Sequence, residues 1–243
     1  MTPPSDPHRR AAAAAPWALR GARWARMGAA AVLVALAVVA WPVARGYLDG
    51  RAAAPVHAAQ ADRLIAAGRG PADLGPGRWA RLLMVQDPAF ADHSGIDLAT
   101  PGAGITTVTQ SLAKRVGFEE EFEPGWAKLR QSGLALGYET GMTKDQIAAL
   151  WLETVEMGNL QGPGGKGWTV GFWSAAERAH GVAPAALTDA QFRDLVARLI
   201  APAALGRDAD ARAARSGRIA RLWDGACAPD GHSDVWLEGC AAP

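Results

Sequence analysis

Lysine and cysteine are scarce in this chain of 243 residues, and charge of either sign is nearly balanced. A formal net charge of +1 argues against a general polyanion binder, because nucleic-acid recognition ordinarily shows as a strongly basic face. Only Lys114, Lys128, Lys144 and Lys166 are lysines among 25 basic residues. The many arginines accompany many alanines and read as compositional bias, so no single arginine carries weight. Runs of alternating apolar and polar residues convincing enough for a sheet are missing, as is any internal repeat. What remains, 49% hydrophobic and 20% charged, fits one globular domain of moderate size with appendages.

Charge is also missing from Met27 to Ala44, where residues 31–40 are apolar throughout. Eighteen residues at ~1.5 Å each span about 27 Å, enough for the hydrocarbon core of a bilayer, so a transmembrane helix is expected over 27–44. Residues 1–26 carry Arg9, Arg10, Arg20, Arg23 and Arg26 against one acid, Asp6, and read as a disordered tail. Only Arg45 and Arg51 follow soon after the span. That asymmetry puts the N-terminus in the cytoplasm, with Trp41 at the far interface and the rest of the chain outside. A cleaved signal peptide is the rival reading, since Ala37 and Ala40 are small, but 26 residues make a long n-region. Residues 45–77 read as a juxtamembrane connector with one helix.

Further on, Trp79, Leu82, Leu83 and Met84 predict a helix over 78–85 that Pro88 ends or bends. Gly95, Gly102 and Gly104 mark irregular backbone before a helix starting at Thr106 or Thr107. Thr143 with Gln146, and Thr188 with Gln191, are capping boxes ahead of helical apolar spacing. Residues 158–168, rich in glycine, read as a long flexible loop, and 207–223 as a last amphipathic helix.

The polar residues that look chosen for chemistry fall between Leu82 and Lys144. Val-Gln-Asp-Pro-Ala-Phe-Ala-Asp-His-Ser-Gly-Ile-Asp (85–97) is followed by Gly-Ile-Thr-Thr-Val-Thr-Gln-Ser-Leu-Ala-Lys-Arg (104–115) and by Trp-Ala-Lys-Leu-Arg-Gln-Ser (126–132). On a helical wheel Thr107, Gln110, Ser111 and Lys114 share one side, opposite Val108, Leu112 and Val116. Lys128 and Gln131, three apart, share another face.

In order and spacing these blocks resemble the signature motifs of the family 51 glycosyltransferases, membrane-bound enzymes that polymerise lipid II into peptidoglycan glycan strands. The resemblance runs over residues 78–222. It implies a mainly α, lysozyme-like domain behind one N-terminal transmembrane helix in a bacterial inner membrane, and the architecture looks like the monofunctional form. It implies that Thr106, Thr107, Gln110, Lys114 and Lys128 bind the donor, with Lys114 on a phosphate. Lipid II or a glycan strand, and an active cell-wall synthase, are the implied partners. Some members of the family are thought to use a divalent cation near the pyrophosphate, and the resemblance leaves such an ion open here, with no ligand assigned to it.

The chain departs from the family at Ile105, where glycine is usual, at Thr106 (serine), Ala127 (arginine) and Glu153 (asparagine), and at two positions that bear on catalysis. The family's motifs carry glutamates where this chain has Gln86 and Gln131. Polymerisation needs a general base to take the proton of the attacking sugar hydroxyl and cations to offset charge on the departing pyrophosphate. An amide hydrogen-bonds but has no useful basicity, and losing a positioned base typically costs ~10²–10⁴-fold in rate. Asp87, the adjacent carboxylate, is a candidate base or a cap and ion-pair partner, and Glu139 is a distant substitute. The reading is therefore a periplasmic pseudoenzyme that still binds. The alternative is a working polymerase with a non-standard base. Glycan cleavage also wants a carboxylic acid and is disfavoured by the same changes.

Cys227 and Cys240 lie beyond the motif match. In an oxidising compartment a bridge between them is expected, closing about 14 residues and contributing roughly 3 kcal/mol. A metal site that adds His232 is the runner-up, short of the four ligands of structural zinc.

Overall fold

The computed structural model describes residues 16–118 and 122–242. The chain divides into two units, Met1–Trp41 and Pro42–Pro243. Helix α1, Pro16–Ala66, runs through both. It begins within the tail that composition marked as unstructured, so residues 16–26 are helical, while residues 1–15 lie outside the described residues. In the first unit Leu33, Val34, Leu36 and Trp41 are exposed, and α1 is long and apolar enough to cross a membrane, with a window of mean hydropathy 2.2. A helix that is apolar all round and uncovered by protein is suited to hydrocarbon as its solvent.

The second unit is mainly helical: α2 (Arg78–Gln86), α3 (Val108–Val116), α4 (Trp126–Gly141), α5 (Lys144–Thr154), α6 (Phe172–His180), α7 (Asp189–Arg198), α8 (Pro202–Leu205) and α9 (Ala209–Trp223). Its centre is α5, where six consecutive residues from Ile147 to Leu152 are buried. Charge survives there only at the helix ends, as expected of a helix packed on every side. Around it α3, α4 and α6 supply Leu112, Leu134, Tyr138, Phe172 and Ala175 to one continuous core. Both expected Thr–Gln capping boxes form, at Thr143 and Thr188, and a third is present at Thr107, each hydroxyl accepting from the glutamine backbone N–H three residues on.

The connector departs from its sequence reading because its helix is the continuation of α1, held against α4 by glycine. A Cβ on Gly133 would run into the Val43 carbonyl, one on Gly137 into Tyr47, one on Gly46 into Arg130 and one on Gly50 into Leu134. The backbones of the two helices meet directly, and Asp49 pairs with Arg130 at 3.2 Å beside the crossing. This contact fixes α4, the helix that bears Lys128 and Gln131.

The expected absence of a sheet and the expected flexible loop at 158–168 are both corrected. Strands β1 (Glu156–Gly162) and β2 (Gly165–Val170) form an antiparallel hairpin, with Gly162 opposite Gly165 across a two-residue Pro163-Gly164 turn. Alternation fails as a signal because glycine takes inward positions 158 and 162 and the register shifts between Glu156 and Gly158. A Cβ on Gly162 would strike the Ala179 and Arg178 carbonyls, and one on Gly158 the Pro202 carbonyl. Here glycine buys close approach to α6 and α8 rather than mobility.

Candidate functional site

Helix α2 ends at Gln86, and the next residue, Asp87, turns inward with 1% of its surface exposed. Its carboxylate accepts from Val108 N–H at 2.8 Å, the first residue of α3, and from His93 Nε2 at 2.9 Å. His93 Nδ1 accepts from Gly95 N–H at 3.0 Å, which leaves Nε2 to carry the proton it gives Asp87. A carboxylate at a helix N-terminus also meets the positive end of the helix dipole. Asp87 and His93 thus tie the end of α2 to the start of α3. Neither lines the cavity described next.

A cavity of about 480 Å³ opens on the other side of α3. Of the residues singled out from sequence, Gln86, Thr106, Thr107, Lys114, Lys128 and Gln131 line it, together with Ser111. Gln110 does not. Its side chain is buried, accepting from Thr107 N–H at 3.1 Å and donating to Ser132 Oγ at 2.9 Å, so it fixes α3 to α4.

Lys128 Nζ donates to Thr106 Oγ1 at 2.8 Å. Burial, and then the Lys114 charge, hold the Lys128 ammonium below its usual range. Two ammonium groups that feel each other in one cleft are stabilised by an anion between them. Gln131 is 1% exposed and its Nε2 donates to the Gln110 carbonyl at 2.5 Å. A carboxylate at that place would face a carbonyl oxygen with nothing to donate. Gln86 is half-buried at the cavity wall.

The lining residues not singled out from sequence include Arg115, Glu156, Arg215 and Val235. Arg115 donates to the Ser111 carbonyl and Oγ at 2.9 and 2.8 Å. Burial lowers its pKa to about 10, with the Glu156 carboxylate acting in the opposite sense. Arg215, on α9, is 1% exposed, and burial lowers its pKa to about 10 as well. Arg115 follows Lys114 directly in a motif and was legible there. Arg215 lay hidden in a composition full of arginine. Among the described lining residues Lys114, Arg115, Lys128 and Arg215 face a single carboxylate, Glu156.

Glu139, the distant substitute for a base, lies away from this cavity, accepting from Thr109 Oγ1 at 2.5 Å and Lys144 Nζ at 2.8 Å. Among the described residues no group of three or more His, Cys, Asp or Glu side chains is placed to hold a metal. One carboxylate among four cations is a poor donor set for a divalent ion, so no protein-held cation fits this cavity. Cys227 and Cys240 are joined as a disulfide, which leaves no thiolate for a zinc site with His232. His232 Nδ1 instead donates to the Thr100 carbonyl at 2.9 Å.

No curated protein sequence matches the chain. The family model described as Transglycosylase does, over residues 73–223, which is more than half of the chain and takes in α2 through α9 with every cavity-lining residue named above except Val235. The chain therefore belongs to the transglycosylase family, the family 51 glycosyltransferases whose motifs it resembles.

Proposed function

We propose that this peptidoglycan glycosyltransferase-like protein binds lipid II or nascent glycan at the cell-wall side of a bacterial inner membrane without polymerising it. In this reading α1 anchors the chain with its N-terminus in the cytoplasm and the second unit in the periplasm, and an active synthase carries out chain growth. The observation that carries the reading is the composition of the cavity: four cationic side chains, amides at 86 and 131, and one carboxylate. Clustered Lys and Arg suit a pyrophosphate, forming charge-assisted hydrogen bonds to its oxygens. Catalysis needs, in addition, a group that takes the proton of the attacking hydroxyl within hydrogen-bond reach. Gln86 offers no such group. Asp87 and Glu139 are engaged by other partners and do not line the cavity.

Glu156 favours a second reading, an active polymerase with a non-standard base, because its carboxylate is on the cavity wall. Its proximity to the Arg115 charge favours an ion-pair role instead. Full-length protein in detergent micelles, incubated with labelled lipid II, separates the two. Saturable binding without glycan chains is the expected result. Chains that vanish in Glu156→Gln would establish the second reading and overturn the first.

A further inference from the structure

The segment beyond α9 lies past the family match, yet it builds part of the cavity. The Gly102 N–H donates to the Gly231 carbonyl at 2.9 Å and the Gly104 N–H to the His232 carbonyl at 2.8 Å. His232 Nδ1 returns a bond to the Thr100 carbonyl at 2.9 Å. Both glycines have positive φ, and a Cβ on Gly104 would collide with Val235 and one on Gly102 with Pro229. Backbone meets backbone there, and the loop that precedes α3 is held from outside its own motif. That loop, through Gly102, Ala103, Ile105 and Thr106, lines the cavity, and Thr106 Oγ1 positions Lys128.

Val235 lines the cavity too, and its carbonyl accepts from Arg215 Nη1 at 2.9 Å. The remaining Arg215 donors, Nε and Nη2, are buried without a partner among the described residues, with the Trp236 ring 5.4 Å away. The segment's own shape is set at two points. Asp234 collects the N–H groups of Asp230, Glu238 and Gly239, and the disulfide joins Cys227 to the fully buried Cys240.

We propose that the disulfide-closed segment 227–240 is a wall of the ligand site that holds the 102–106 loop and Arg215 in place, so that affinity for the lipid-linked pyrophosphate depends on the Cys227–Cys240 bond. The inference rests on the reading of the cavity given above. With the bond closed, the strap is pinned at both ends and the loop's amides meet fixed carbonyls. With it open, the strap keeps its hydrogen bonds to the loop and the contacts of Asp234 and Arg215, but its ends are no longer joined, and the ligand must order the loop as it binds.

The test uses the full-length chain in micelles with labelled lipid II as the probe, oxidised and after reduction by a phosphine. The phosphine gives two electrons to the disulfide and takes the oxygen of a water molecule to become its oxide, while the two protons of that water go to the sulfurs, leaving two thiols. Reduction, verified by thiol titration with the helical circular dichroism unchanged, weakens binding about 10-fold as preorganisation is lost. A Cys227→Ser/Cys240→Ser variant binds as weakly under both conditions. In the absence of ligand, reduction accelerates amide exchange in peptides covering Gly102 and Gly104. Equal affinity and equal exchange in the two redox states would overturn the proposal. If the oxidised chain binds no lipid II, the functional reading fails separately. Exchange then still decides the wall, which is upheld by acceleration and overturned by its absence.

Discussion

Behind α3 the buried acids Asp87 and Glu139 each have partners that use their charge, whereas in front of α3, at positions 86 and 131, the cavity carries amides. The rear acids hold elements together: Asp87 joins α2 to α3, and Glu139 joins α4 to α3 through Thr109 and to α5 through Lys144. The front positions face the space a ligand would fill. In the proposed reading, charge in this domain serves the scaffold and, as cation, the ligand, while an amide that only hydrogen-bonds stands where a glycosyl transfer would use its base. The comparison can be broken from either side.

The largest effect is expected behind α3. Asp87→Ala leaves the Val108 N–H and the His93 ring N–H buried without an acceptor, a loss of about 2–6 kcal/mol at ~1–3 kcal/mol per unsatisfied donor. Thermal or urea unfolding reads it. A substitution at 87 that lowered lipid II turnover while leaving stability intact would instead move this acid into the chemistry.

In front of α3 the expected effects are smaller and differ by position. Gln131→Glu places a carboxylate against the Gln110 carbonyl, where only a protonated acid can donate, and is expected to cost about 1–3 kcal/mol of stability. A stabilised Gln131→Glu protein would mean that the local packing rearranges easily. Lys128→Gln or Lys114→Gln removes one charge from the phosphate cradle and is expected to weaken lipid II binding about 10-fold, with stability nearly unchanged. Lys128 has a lowered pKa, so its protonated form, the one an anion needs, is complete below that pKa and is lost as pH rises through it. Binding is therefore expected to fall with rising pH from below 10.5, the unperturbed value, and Lys128→Arg should flatten the profile. The smallest effect is expected for Glu156→Gln, less than ~0.5 kcal/mol on stability, as for an ordinary surface change. No loss of binding should accompany it.

Local chemistry made the capping boxes at Thr143 and Thr188 and the helices they open legible in the sequence, because a cap needs only residues three apart. Lys114 and Lys128 were legible differently, through the resemblance to the family, which implied a donor-binding role for both, and both line the cavity. Gln110 shares a helical side with Lys114 and went elsewhere, because helical periodicity names a face without saying whether a neighbouring helix covers it; here α4 does, through Ser132. The β-hairpin was hidden because glycine at 158 and 162 served backbone approach to other elements, a tertiary fact. Arg215 and the strap at 227–240 were hidden for a related reason. They reach the cavity from more than a hundred residues beyond the loop they support, and no local pattern signals that contact.

The most direct test is a paired assay of the natural chain and Gln86→Glu with labelled lipid II, scoring bound ligand and glycan product together. Equal binding by both, with no chains from the natural protein and chains from Gln86→Glu, is the predicted result. Glycan chains made by the natural protein at a rate matching that of Gln86→Glu would contradict it.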